Sequence, residues 1–304
     1  MEETLHVTGL ITALATLPGA RDARDPQRAI KRGPSRVPRE QVAATQRDRL
    51  YDGLVRTVAE HGYANASVSD ICRASGVTRP AFYEHFESKQ GAFLAAYRHG
   101  TDVLFAMLRN AFAASVAEGR EVAGRETEGC EVEDREADGC GAGDLESGDC
   151  LRGWTRATRS VLAVLLDVLA SVPAFATAAI VEIDAVGPEG RRARAERLRD
   201  FEAFFAVAPA TPAGVDRDEL VGSVVSGAYG TLYRYIADGR IAELPGLLPA
   251  LVYFVVAPFA GPRAAARAAA EAAAGSGAGD HQRSVAPCVP AQAEAGVGAA
   301  GAKD

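Results

Sequence analysis

Residues 67–90 read SVSDICRASGVTRPAFYEHFESKQ. Ser67 fits a helix N-cap, and Asp70 three residues later completes a capping box. Val68, Ile71 and Ala74 share one face of the helix that follows. Gly76 takes the turn, because a side chain there hinders the left-handed conformation. Val77 plugs the core beneath that turn. Thr78 caps a second helix, and Pro80 is tolerated because it falls in the first turn. Phe82 and Phe86, four apart, face back toward the first helix. Arg79, Ala81, Tyr83 and Glu84 are left on the outward side. Two short helices about a tight turn predict a helix-turn-helix, whose second helix lies in the DNA major groove.

Outward from this stretch the pattern stays helical. Leu50, Leu54, Val55, Val58 and Ala59 recur at helical spacing from near Gln41 to His61, and Gly62 is a natural left-handed stop. A further helix is expected from Ser88 to about Ala117, carrying Phe93, Leu94, Tyr97, Leu104, Phe105, Leu108 and Phe112. Others are expected over 151–170, 173–184, 188–207, 216–237 and 247–259. Long alternating β-branched runs are absent, so the fold class is all-α. The expected organisation is a disordered basic arm over 1–42 and a three-helix DNA-binding head over 43–98. A helical ligand-binding and dimerisation domain follows over 99–260, then an Ala/Gly-rich tail over 261–304 that reads as disordered, its poly-alanine part alternatively as a helical extension.

A net charge of −7 over 304 residues argues against nucleic acid until its distribution is considered. Residues 118–149 hold 12 acidic and 3 basic side chains, net −9, which leaves about +2 for the remainder. Residues 21–39 hold 7 basic and 2 acidic side chains, directly before the helix-turn-helix, where phosphate attraction uses them. Lys31, Arg32, Arg36 and Arg39 either enter a neighbouring minor groove or form a solvated tail. The acidic segment repeats GRETEGCEVE, DREADGCGAG and DLESGDCLRG from Gly124. Units so short and charged bury no core, so 119–150 reads as a solvated loop between helices. The five cysteines, at 72, 130, 140, 150 and 288, form no CxxC pair, which argues for reduced thiols and no metal site. No run reaches about 18 apolar residues, and Glu2 and Glu3 stand where a secretory signal needs positive charge. A cytoplasmic protein without a membrane partner is expected.

Residues 46–97 resemble the DNA-binding domain of the TetR family of transcriptional regulators. Val68, Ile71, Ala74 and Gly76-Val77-Thr78 carry the resemblance, followed by Phe82-Tyr83, His85-Phe86 and Lys89. It implies a phosphate contact at Ser67 and a recognition-helix start at Thr78, Arg79, Pro80 and Ala81. It also implies phosphate or groove contacts at Tyr83 and His85, and a phosphate contact at Lys89. Tyr83 as a core side chain and His85 as a plain surface residue are the bland alternatives. The sequence departs from the family at Pro80, where Gly is frequent, at Glu84, where an aromatic or His is frequent, and at Cys72, where Ala is frequent. Pro80 removes an N–H that could meet phosphate, and Glu84 repels phosphate or accepts from cytosine.

In the second half, Val221, Val224, Val225, Ala228, Leu232 and Ile236 make one stripe, and Gly222, Ser226 and Gly230 another. Leu247, Leu248, Leu251, Val252, Val255, Val256 and Phe259 repeat on one face. So much apolar surface suggests a partner, the alternative being a purely intramolecular core. The resemblance implies a homodimer through these helices, with Val221, Val225, Tyr229, Leu232, Leu248, Leu251, Val252 and Val255 at the interface. It also implies a chamber for an unknown small-molecule ligand, with Phe105, Trp154, Leu165, Phe175, Glu182, Phe201 and Phe205 as candidate lining. Glu182 and Asp184 stand out in an apolar stretch: either a buried carboxylate selects a cationic or hydroxyl-bearing ligand, or Asp184 sits at a helix end in water and Glu182 meets a local Arg. Arg191, Arg192, Arg194, Arg197 and Arg199, interspersed with glutamates, read as a solvated face in preference to an anion site. No catalytic constellation, metal-spaced His pair or nucleotide fingerprint is present, so no catalytic residue, no cofactor and no enzyme is expected. The sequence therefore points to a repressor released from a palindromic operator on double-stranded DNA by its ligand. The alternative is a constitutive or redox-responsive DNA-binding protein.

Overall fold

A computed structural model describes residues 13–25, 38–128, 142–209 and 211–276, with side chains described over the same spans except 118–150 and 276. Among the described residues there are helices and turns and no strand.

Helix α1 spans Arg39–His61 and stops at Gly62 (φ 78°), whose N–H bonds Val58 O. Helix α2 spans Val68–Ser75. Ser67 Oγ accepts from the Asp70 N–H at 3.2 Å, and the Asp70 carboxylate accepts from the Ser67 N–H at 3.2 Å, so the capping box is closed. Gly76 takes φ 63°, ψ 27° and bonds Cys72 O. Helix α3 spans Arg79–His85, with Thr78 Oγ1 accepting from the Ala81 N–H at 3.4 Å. Gly53 lets α2 close on α1, since a Cβ at that position would lie 2.8 Å from the Ser75 nitrogen. Leu50, Leu54, Ile71, Val77 and Phe82 fill the space between the three helices.

Residues 13–25 correct the disordered-arm expectation for that part of 1–42. Leu17 is fully buried, the Gly19 N–H donates to the buried Asp52 carboxylate at 2.7 Å, and Arg49 Nε donates to Ala23 O at 2.8 Å. The partner that satisfies these backbone groups lies on α1, out of reach of any local reading. Residues 1–12 and 26–37, with Lys31, Arg32 and Arg36, lie outside the described residues.

Helix α4, Lys89–Glu128, carries the chain out of the head. At 1.5 Å per residue its 40 residues span about 60 Å. Helix α5, Ala142–Ser171, packs back along it. The 119–150 loop expectation is thus corrected at both ends, where the backbone is helical to Glu128 and from Ala142. Glu, Arg and Ala are good helix formers, so a helix anchored in a core continues into charged sequence. Residues 129–141 lie outside the described residues.

Helix α6, Pro173–Ala176, runs into a π turn over Thr177–Val181 and a 3-10 turn over Glu182–Val186. Helix α7 spans Pro188–Glu202, followed by a 3-10 turn at Ala203–Phe205. Helix α8 spans Arg217–Ala237, capped by Asp216, which accepts from the Glu219 N–H at 3.0 Å. A 3-10 turn over Ile241–Leu247 leads to α9, Leu248–Ser276.

Helix α9 kinks at Gly261 (φ 77°, ψ 165°) and continues, so the disordered-tail expectation is corrected over 261–276. Ala265, Ala268 and Ala272 are buried, and Glu271 pairs with Arg159 of α5 at 3.0 Å. Residues 277–304 lie outside the described residues. By length and composition Ile241–Gly275 is apolar enough to cross a membrane, contrary to the sequence count. In this fold it is bent at Gly261 and buries Leu251, Val252, Val255, Val256 and Phe259 against other helices.

Candidate nucleic-acid interface and ligand chamber

The outward surface of α3 follows from its anchoring. Phe82 is fully buried and Phe86 packs on it with ring centroids 5.7 Å apart. This fixes the helix rotation and leaves Thr78, Arg79, Pro80, Tyr83 and Glu84 exposed, with Ala81 half-buried. Tyr83 is 50% exposed and meets the Phe82 ring edge-on at 5.3 Å, so its hydroxyl end faces outward and it is no core residue. Arg79 Nη1 donates to Ser69 Oγ at 3.3 Å, which joins the first turns of α2 and α3 on one surface. Ser67 is exposed beside Ser69, its hydroxyl donating to Asp70 at 2.6 Å. Arg73 pairs with Asp70, so part of the positive charge at this surface is internally balanced.

Two implied contacts sit differently. The His85 ring nitrogen Nε2 lies 3.2 Å from Gln46 Oε1, turned toward α1. Lys89 Nζ donates to Tyr63 O at 2.7 Å and Ala66 O at 2.9 Å and lies 4.3 Å from the Tyr63 ring centre. Burial lowers its pKa from the usual lysine value. Lys89 therefore ties down the loop that precedes the Ser67 cap. Cys72 is buried against the core, and burial raises its thiol pKa despite the nearby Arg79. Among the described residues no cluster of His, Cys, Asp or Glu has the makings of a metal site.

Behind the head, α4, α5, α7 and α8 enclose a cleft of about 1030 Å³, counting the part open to solvent. Phe105, Leu165, Phe175, Phe201 and Phe205 line it, as the sequence reading had them. Phe105 and Phe201 touch with centroids 4.5 Å apart. Two candidates are corrected. Trp154 sits beneath the lining, stacked edge-on against Phe259 at 5.6 Å, with Nε1 donating to Phe204 O at 3.3 Å. Glu182 turns away from the cleft, and its carboxylate accepts from the Tyr63 N–H at 2.7 Å.

The polar end of the cleft falls to residues for which sequence reasoning preferred a solvated face over an anion site. Arg194 and Arg197, assigned there to a solvated face, line it together with Tyr97 and Tyr229. The available signal was spacing, because Arg194, Arg197, Leu198 and Phe201 fall at i, i+3, i+4 and i+7 on one helical face. Arg197 bridges Asp102 at 2.7 Å and Asp200 at 3.0 Å. Arg194 pairs with Asp184 at 2.8 Å, so Asp184 is not simply in water. Burial opposes the Arg194 charge, but Tyr229 and Asp184 outweigh it and hold its pKa above the usual value. Burial raises the phenol pKa of Tyr229 and raises that of Tyr97 strongly.

The proposed dimer side chains are mostly turned inward. Val221, Val225, Leu232, Leu251, Val252 and Val255 are buried within the protomer, Tyr229 lines the cleft, and Leu248 is half-buried. Helices apolar on two faces do not reveal by sequence which face meets the core. The outward face carries Ser226, Gly230 and Tyr233 of α8 with Tyr253 and Phe254 of α9. The Phe254 ring lies over Gly227, where a Cβ would come within 2.7 Å of it.

Residues 50–96 match the family model described as bacterial regulatory proteins, tetR family. The chain is 35% identical over 68 residues to an HTH-type transcriptional repressor of Mycobacterium tuberculosis, covering 22% of this chain and 36% of that protein. It is 40% identical over 52 residues to the HTH-type transcriptional repressor AcnR of Corynebacterium glutamicum, covering 17% and 28%. The match thus spans about a third of the length of these relatives. A solved structure of the fatty acid degradation regulator FadR from Bacillus halodurans superposes with a TM-score of 0.51, covering 75% of this chain and 97% of that one. At 14% identity that likeness is one of fold. Residues 50–96 thus match the DNA-binding head of the tetR family, and the chain shares its helical fold with that solved structure over 75% of its length.

Proposed function

We propose that this chain is a homodimeric repressor that reads a palindromic operator and is released by a ligand held in the cleft. The exposed row Thr78, Arg79 and Tyr83, on a helix locked from behind by Phe82, carries this reading. Arg79 suits bidentate pairing with guanine, and Tyr83 and Ser67 suit phosphate. Two heads about 34 Å apart would then occupy successive major grooves.

The outward face of α8 and α9 suits the second copy. Small residues at Ser226 and Gly230 permit close approach, and Tyr233, Tyr253 and Phe254 supply apolar area that a lone protomer leaves in water. A ligand lowers DNA affinity to the extent that it binds unequally to the two arrangements of the heads. The protein would act in the cytoplasm, where DNA and small metabolites are both available.

The test is fluorescence anisotropy with duplexes from the DNA upstream of the coding sequence. One duplex should bind in the presence of excess unrelated DNA of equal length, at one dimer per site. Equal competition by unrelated DNA refutes the reading.

A further inference from the structure

The ion pair at the polar end of the cleft is incompletely satisfied. Arg194 Nη1 meets Asp184 Oδ2 at 2.8 Å, yet neither Arg194 Nε nor Asp184 Oδ1 has a hydrogen-bond partner among the described residues. Both atoms are buried, which is unfavourable for polar groups. Arg194 lines the cleft with aromatic and aliphatic side chains, and Asp184 is not among the lining residues. The Arg194 guanidinium is thus shared between a one-point carboxylate partner, the Tyr229 side chain and a largely apolar chamber.

We propose that the cleft binds a single-chain amphiphile with a carboxylate head, and that this head takes Asp184's place on Arg194 while the tail packs against Phe105 and Phe201. The inference rests on the ligand-responsive reading above and names the ligand class. Charge logic selects the head. Among the described residues the charged side chains lining the cleft are arginines, and Arg197 is already held by Asp102 and Asp200. A cationic ligand would face Arg194 and Arg197 without a lining carboxylate. Replacing one carboxylate by another on Arg194 nearly conserves the electrostatics, and a bidentate head improves the geometry. Burial of the tail supplies the driving force. The released Asp184 side chain, already about a third exposed, turns to water.

The displaced residue sits on a connected element. Asp184 shares the Glu182–Val186 turn with Glu182, which accepts from the Tyr63 N–H. Tyr63 O is in turn held by Lys89, which also holds Ala66 O just before the Ser67 cap. Loosening that turn therefore loosens the base of the reading head.

Isothermal titration of the full chain with octanoate, dodecanoate and hexadecanoate, each against its matching alcohol, tests this below micelle-forming concentrations. At least one carboxylate should bind about tenfold tighter than its alcohol, a charge-assisted head contact being lost in the alcohol. Arg194→Gln should remove that difference and leave alcohol binding in place. Asp184→Asn should tighten carboxylate binding several-fold, since the competitor is gone, and it carries the test if Arg194→Gln does not fold. Equal binding of every acid and its alcohol, no binding of any acid, or weaker carboxylate binding by Asp184→Asn overturns the proposal. DNA binding without added ligand is measured in parallel. Specific DNA binding with no carboxylate preference sinks only the ligand class, and carboxylate preference without specific DNA binding sinks only the repressor reading.

Discussion

The carboxylate of Glu182 accepts a hydrogen bond from the backbone N–H of Tyr63 at 2.7 Å, across 119 residues of sequence. Tyr63 stands just after the glycine that ends α1, and Glu182 stands where the π turn gives way to a 3-10 turn. A carboxylate on one half of the molecule thus stops the backbone of the other half. Glu182→Ala removes the acceptor and should cost about 1.5–3 kcal/mol, the range for a bond to a charged group. Urea unfolding measures it. Glu182→Gln keeps an acceptor oxygen and should recover at least half the loss. In anisotropy titrations, Glu182→Ala should also shrink the effect of a cleft ligand on DNA affinity, because the two halves are then less firmly joined.

Substitutions at Arg79 and Tyr83 should separate sequence preference from affinity. Arg79→Ala should cost about 1–3 kcal/mol and relax selectivity at one base pair of the bound site. Tyr83→Ala should weaken binding to all tested sites by a similar factor. Both side chains are exposed, so thermal melting should move little. A large fall in melting temperature for either variant would assign it a structural role.

Tyr97 sets an alkaline limit. Burial raises its folded pKa far above the value of about 10 that it has in the unfolded chain. The unfolded chain therefore releases the proton first, so stability is intact below about pH 10 and falls as pH rises from there toward the folded pKa. Melting temperature measured upward from pH 9 should decline above that point. Tyr97→Phe should flatten part of the decline. Tyr51, Tyr63 and Tyr229, raised for the same reason, should supply the rest.

Phe254 and Leu251 lie on the same helix one turn apart and should behave oppositely. Phe254 is 43% exposed and Leu251 is buried. Phe254→Glu should convert a dimer to a monomer in light scattering while the fold persists. Leu251→Ala should instead lower stability by about 2–5 kcal/mol through an internal cavity. A monomeric wild type, or an unchanged dimer in Phe254→Glu, would refute the assigned face.

Leu17 tests the packed segment before α1. Leu17→Ala should destabilise the head by about 2–5 kcal/mol, as for any buried leucine. A solvated arm would show no change in the same melting experiment.

The reading head was legible because its determinants are local. Ser67 with Asp70, Gly76, Thr78 and Pro80 each act within one turn of the backbone, and the Phe82–Phe86 pair fixes the helix rotation by spacing alone. Of the seven side chains that the resemblance implied for a chamber, five line the cleft. What sequence left undecided concerns partners far apart in the chain. The capture of 13–25 by Asp52, the commitment of Lys89 to two loop carbonyls, the turn of Glu182 toward Tyr63 and the entry of Arg194 into the cleft all depend on which surfaces come together. So does the choice between the two apolar faces of α8 and α9. Helical periodicity states that a face is apolar, and only packing decides whether that face meets its own core or is left for a second molecule.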